Sequence, residues 1–143
     1  MRFIDTNIFL RFLQAPTDEI TVAWNADCTA LFRRLELGED TVTTAEFVVT
    51  EAFWVLTSRR HTGLSRSDAA SRLKTIVQYR GLRMASKRRV VRSLDLVISD
   101  PKLSLVDALI ASTVLEEDWT LLSYDTDFDR VSGLDRQQPE PAS

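Results

Sequence analysis

A chain of 143 residues, 44% hydrophobic and 27% charged, has the size and balance of one globular domain with a real core. No apolar stretch approaches about 18 residues and no basic region leads into an apolar one at the start, so neither a membrane span nor a signal peptide is expected, and a cytoplasmic protein is. The net charge of −3 hides a lopsided distribution: 11 of the 18 basic residues lie between Arg59 and Arg92 against one acid, Asp68, which puts that segment at +10 and the rest at −13. So basic a segment points to a polyanion or an acidic protein partner, because clustered cations gain from phosphate contacts and counterion release; the plainer alternative is a set of solvated helix faces.

In chain order, short apolar runs alternate with helical periodicity. Residues 2–4 are predicted as a strand, followed by helices over 7–13 and 18–37. A strand over 41–43 leads into helices over 45–60 and 66–79, and a strand over 82–85 into helices over 87–99 and 105–118. Residues 120–122 form the last predicted strand. This alternation defines an α/β domain with a mostly parallel sheet. It occupies residues 1–136, and "QQPEPAS", 137–143, reads as a flexible tail.

Ligands of open α/β sheets gather at the carboxyl ends of the strands. Asp5 follows the first strand and Asp125 follows "TLLSY", so both belong at that edge, although an Asp in such a place more commonly caps the next turn. In "TTAEFVVTEAFWVL", Thr43 and Glu46 fit a capping box, which leaves Glu51 as the lone acid of a helix that is apolar nearly all round. Such an acid needs either a buried Arg or a cation in a cleft. Ser104 and Asp107 in "LSLVDALIAS" also match a capping box, and the uncharged helix that follows sets Asp107 at the mouth of the core. The run "YDTDFDR" lacks the Gly and the acid of a calcium loop; Asp127 supports Asp125, and Asp129 belongs to a solvated turn. Cys28, the single cysteine, is expected as a small buried residue without a role.

The stretches "FIDTNIFLRFL", "EFVVTEAFWVL", "LSLVDALIAS" and "LLSYDTDFDRV", carrying Asp5, Glu51, Asp107 and Asp125 in order, resemble the acidic motifs of the PIN-domain family, with the nearest likeness to VapC-type toxins of toxin–antitoxin pairs. The resemblance runs from Arg2 to about Leu134. It implies a three-layer α/β/α sandwich with a short, mostly parallel central sheet, whose acids bind Mg²⁺ or Mn²⁺ and cleave RNA. It further implies a homodimer inhibited by a cognate antitoxin. Asn7 and Ser123 match polar positions that assist the acidic site in the family; Ser123 stands where Thr is more usual, and Tyr124 where Phe is frequent.

The residue types lead to the same chemistry. Two carboxylates roughly 5 Å apart repel by about 3 kcal/mol at an effective dielectric near 20, so four together require cations, and hard oxygen donors select Mg²⁺ or Mn²⁺. His61 has no second histidine for metal-free cleavage of RNA. The expectation is therefore a metal-dependent endoribonuclease in which Asp5, Glu51, Asp107 and Asp125 hold one or two ions that activate a water against a phosphodiester. Arg59, Arg60, Lys87, Arg88, Arg89 and Arg92 are candidates for holding the RNA backbone. Two other readings compete: a noncatalytic module of the same fold that binds RNA or a protein, and a metal-dependent phosphatase acting on small esters. The latter lacks a glycine-rich phosphate cradle.

Overall fold

The computed structural model of the protein describes residues 1–142, so Ser143, the end of the predicted tail, lies outside the described residues. Helix α1, Thr6–Leu13, starts at Asp5, whose side chain accepts from the Ile8 amide, and stops ahead of Pro16. Helix α2, Glu19–Leu37, opens on a reciprocal capping box: the Thr21 amide donates to Asp18 Oδ1 at 2.8 Å and the Asp18 amide to Thr21 Oγ1 at 3.0 Å. It closes on Gly38 in the left-handed region, φ 74°.

Strand β1, Val42–Thr43, helix α3, Glu46–Thr57, helix α4, Arg66–Val77, and strand β2, Leu82–Arg83, follow. Helices α5, Lys87–Ser99, and α6, Leu105–Glu116, then lead to strand β3, Thr120–Leu122. A 3-10 turn at Thr126–Arg130 and strand β4, Asp135–Gln137, complete the order. Among the described residues no helix is long and apolar enough to cross a membrane.

The architecture is a three-layer α/β/α sandwich around a short parallel sheet, in two hydrogen-bonded ladders. In the first, β1 lies between β2 and the chain at Phe3: Val42 pairs with Leu82, Thr43 with Arg83, and Phe3 makes one parallel bridge to Thr43. In the second, β3 pairs with β4, Thr120 opposite Asp135 and Leu122 opposite Gln137. Two predicted strands, 41–43 and 82–85, are thus shorter than expected, and residues 2–4 contribute only that bridge. Strand β4 has no counterpart in the sequence reading, since Asp135, Arg136 and Gln137 show no apolar alternation.

The core runs through the helices. Leu73, Ile76 and Val77 of α4 meet Val90, Leu94 and Val97 of α5, and Val49, Ala52 and Leu56 of α3 pack with Ala108 and Ala111 of α6. Phe32 of α2 takes Phe9 and Phe12 of α1 against its ring at 5.7 and 4.6 Å. Between α5 and α6 two buried hydroxyls satisfy one another, Ser93 Oγ donating to Ser112 Oγ at 2.9 Å. Helix α3 ends at Thr57, three residues before the predicted end, because Ser58 turns extended and its amide returns to the Trp54 carbonyl. The predicted capping box at its start is absent. Thr43 Oγ1 donates instead to the Arg83 carbonyl at 2.7 Å, joining β1 to β2, and Ala45 holds the cap position without a side-chain bond.

Gly81 sits where three segments converge. Its amide donates to the Leu35 carbonyl at 2.8 Å and its carbonyl accepts from Val42 at 2.9 Å. A Cβ there would stand 2.1 Å from the Asp40 carbonyl oxygen and 3.0 Å from Leu35 Cα, both main-chain atoms. Gly81→Ala is therefore expected to cost at least about 3 kcal/mol in urea unfolding. Gly63→Ala, where nothing stands within 4 Å and only φ 66° opposes a side chain, is expected to cost about 1 kcal/mol.

Candidate functional site

Three of the four acids stand at the start of a helix or turn. Asp5 caps α1, accepting from Ile8 at 3.4 Å. Asp107 is the third residue of α6, and its amide donates to Ser104 Oγ at 3.0 Å, the half of the predicted capping box that forms. Asp125 caps the 3-10 turn, accepting from the Asp127 amide at 2.8 Å while its own amide donates to Ser123 Oγ at 3.0 Å. Asp5 and Asp125 are exposed, and Asp107 is half-buried.

Glu51 differs from its expected setting. Helix α3 buries one face only, through Val48, Val49, Ala52, Phe53 and Leu56. Phe47, Glu51 and Trp54 occupy the other face and are exposed, lining an open groove with Thr50, Val106 and Leu109. A hydrated carboxylate on that groove needs neither a buried arginine nor a cation.

Convergence is what a metal centre demands, and it is missing. Mg²⁺ requires near-octahedral oxygen ligands at about 2.0–2.1 Å. Among the described residues no group of three or more His, Cys, Asp or Glu side chains is arranged to hold a metal ion. Asp5 leaves the ladder of β1 and β2, Asp125 leaves that of β3 and β4, Asp107 heads a separate helix, and Glu51 lies mid-helix on the groove. The expected four-carboxylate site for Mg²⁺ or Mn²⁺ is thereby corrected. With it go the metal-dependent endoribonuclease reading, its hydrolase chemistry and its cofactor; the phosphatase alternative, which needs the same acids, falls with them.

The neighbouring acids are held by guanidinium groups. Asp127 receives Arg130 at 3.0 Å, and the same Arg130 reaches Asp100 at 2.9 Å, tying the end of α5 to the 3-10 turn. Arg130 together with the Lys102 amide holds the Asp100 carboxyl below the usual carboxylate range. Arg136 does the same to Asp129, at 2.7 Å, and also donates to the Ser123 carbonyl at 2.9 Å. Asn7 stands exposed in the first turn of α1, at the rim of a cleft between α1 and α2.

The basic candidates divide into two sets. Lys87 Nζ donates to the Tyr79 and Leu82 carbonyls at 2.8 and 2.9 Å, and burial, followed by the charge of Arg83, pushes its ammonium pKa down. Arg89 bridges Glu46 at 3.4 Å and Glu116 at 3.2 Å, linking α3, α5 and α6. These two stabilise the chain itself. Arg59 and Arg60, in the turn after α3, are exposed, as are Arg88 and Arg92, which lie one helical turn apart on α5 along an open groove with Gln78, Lys87, Val91 and Asp95, the last paired with Lys74 at 2.7 Å. Arg72, Arg80 and Arg83 are exposed as well. Among the described residues none of these seven arginines makes an ion pair.

Sequence reading missed two features. Arg66 donates to the Leu103 carbonyl and lies 5.8 Å from the Phe53 ring centroid, bracing the loop ahead of α6; its Nε is buried without a partner. The α1–α2 cleft, with Arg11 over Trp24, draws its lining from two helices and has no contiguous motif.

Residues 2–134 match the family model of the PIN domain. The chain belongs to the PIN-domain family. No curated protein matches it at a significant level.

Two outcomes are expected of the acids in their capping role. Asp5→Asn, which keeps a capping oxygen, should unfold within about 0.5 kcal/mol of the parent, whereas Asp5→Ala should lose about 1 kcal/mol. Millimolar Mg²⁺ or Mn²⁺ should leave Tm unmoved, since only an ion bound to the folded state raises it; a saturable rise abolished by Asp5→Asn would restore the metal site.

Proposed function

We propose that this PIN-domain chain is a noncatalytic binding module that holds RNA by its backbone without cutting it. The observation that carries the reading is the set of seven exposed arginines between Arg59 and Arg92 with no ion-pair partner among the described residues. Such a set gains partners when an anion arrives, and phosphates release condensed counterions as they bind. Arg88 and Arg92 form its most ordered part, because the helix fixes their spacing and the groove beside them gives the strand a path. Such contacts position RNA without reading its sequence.

Binding of a single-stranded RNA should weaken with salt, the logarithm of affinity falling by about 0.7 per phosphate contact for each decade of salt. Arg88→Gln with Arg92→Gln should lower that slope by about 1.4, and the RNA should emerge at its original length with or without Mg²⁺. Loss of full-length RNA on incubation with purified protein, or a slope unchanged in the double variant, would remove the reading.

A specific observation favours a protein partner as well, namely a second copy of the chain. Phe47 is 72% exposed, Trp54 62% and Val106 52%, and Phe3 stacks on Phe47 at 6.5 Å. Contiguous aromatic surface of this kind marks an interface. Helix α3 carries Glu51 near its middle, and Arg59 and Arg60 follow its end, so a two-fold axis across the helix would bring Glu51 of one copy toward the arginines of the other, while Glu46 is held by Arg89. The likeness to the VapC-type branch, which rests on the four acidic stretches, also implies a dimer and an antitoxin-like partner. Sedimentation equilibrium should show a dimer that Trp54→Glu converts to a monomer of unchanged Tm; a parent chain monomeric at hundreds of micromolar would dismiss it.

A further inference from the structure

The cleft between α1 and α2 has about 460 Å³ of space, within the range of small-ligand sites, and is lined by Asn7, Ile8, Arg11, Trp24, Asp27 and Cys28. Its floor is apolar, with Ile8 half-buried and Cys28 buried. Its wall is a flat stack, the Arg11 guanidinium 4.8 Å from the Trp24 ring centroid. Asn25 Nδ2 donates to the Arg11 carbonyl at 2.8 Å and pins the last turn of α1, which carries Arg11, to α2, which carries Trp24. Trp24 nevertheless stays 47% exposed, and the Asp27 carboxylate is exposed beside it.

We infer that this cleft receives one unstacked nucleobase of the RNA and prefers guanine. The inference rests on the RNA-binding reading. A planar ring fits an arginine–tryptophan stack, the usual platform for a splayed base. Asp27 lines the same cleft as Arg11, so a phosphate seated there would meet a carboxylate as well as the guanidinium. What remains is a carboxylate at the edge of a stacking surface. Guanine is the base whose pairing edge sets an N1–H beside an amino group, two adjacent donors for one carboxylate. Adenine and cytosine place a ring lone pair next to their amino group, which a carboxylate repels, and uracil offers a single N–H between two carbonyls. Asn7, at the rim, supplies an amide that can both donate and accept.

The full chain, titrated with guanosine, inosine and adenosine 5′-monophosphates while the Trp24 indole N–H resonance is followed, tests the site; Trp24→Phe identifies that resonance among the three tryptophans. Guanosine monophosphate is expected to bind at least tenfold tighter than adenosine monophosphate, inosine monophosphate to fall between because it lacks the amino group, and Asp27→Asn to erase the difference. Equal responses to the three nucleotides, a preference that survives Asp27→Asn, or an unmoved Trp24 resonance would overturn it. RNA binding measured beside the nucleotide titration in the parent chain separates the two readings. Normal RNA binding without guanine preference defeats the cleft alone; guanine preference in a chain that binds no RNA defeats the backbone-binding reading alone.

Discussion

The strands of this domain pair over two or three residues each, too few for a parallel sheet to stand alone, so the helices packed on them fix where every strand ends. Leu56, Leu73, Ile76 and Leu94 are fully buried, and each such side chain contributes about 1.5–3 kcal/mol relative to exposure. Placement of polar groups at the strand ends is therefore a product of helix packing. Gly81 shows how tight that dependence is, since the end of α2, the start of β1 and the turn into β2 meet at a point with no room for one more carbon.

The same constraint separates the acids. Their order along the chain and their place beside strands and helix starts can be read from residue type and spacing. Whether four side chains meet depends on how two ladders and two helices are oriented, and no local signal encodes that. Local signals instead fix the duties found here: Asp5 and Asp125 accept backbone amides, and Asp107 sits in a helix first turn where the dipole favours a carboxylate. The PIN fold is thus kept in a chain that turns two of these carboxylates, Asp5 and Asp125, toward its own backbone.

Legibility varied with the strength of the stop signals. Helix α5 and strand β3 match their predicted limits, and α2 runs from the Asp18 box to the Gly38 cap. Helix α3 overran in prediction because nothing apolar or polar in "TSRR" announces the turn; Thr57 Oγ1 bonding back to Phe53 at 2.9 Å and the extended Ser58 do. Strand β4 is held by main-chain pairing and by the polar contacts of Asp135 and Arg136, which a hydrophobicity pattern does not register. The basic segment was legible as a block, but its division was not: Arg89 and Lys87 are absorbed by carboxylates and carbonyls that come from distant parts of the chain or across a turn.

Cys28 gives the α1–α2 seam a property of its own. The thiol is 7% exposed, and burial, reinforced by Asp27, pushes its pKa up, so it is protonated and shielded at neutral pH. Because the sulfur forms part of the floor of the α1–α2 cleft, oxidants and alkylating reagents reach it through that opening, against a small exposed area and a protonated thiol. With a single cysteine in the chain, the rate of its modification reports on how open that cleft is, legible without any introduced label.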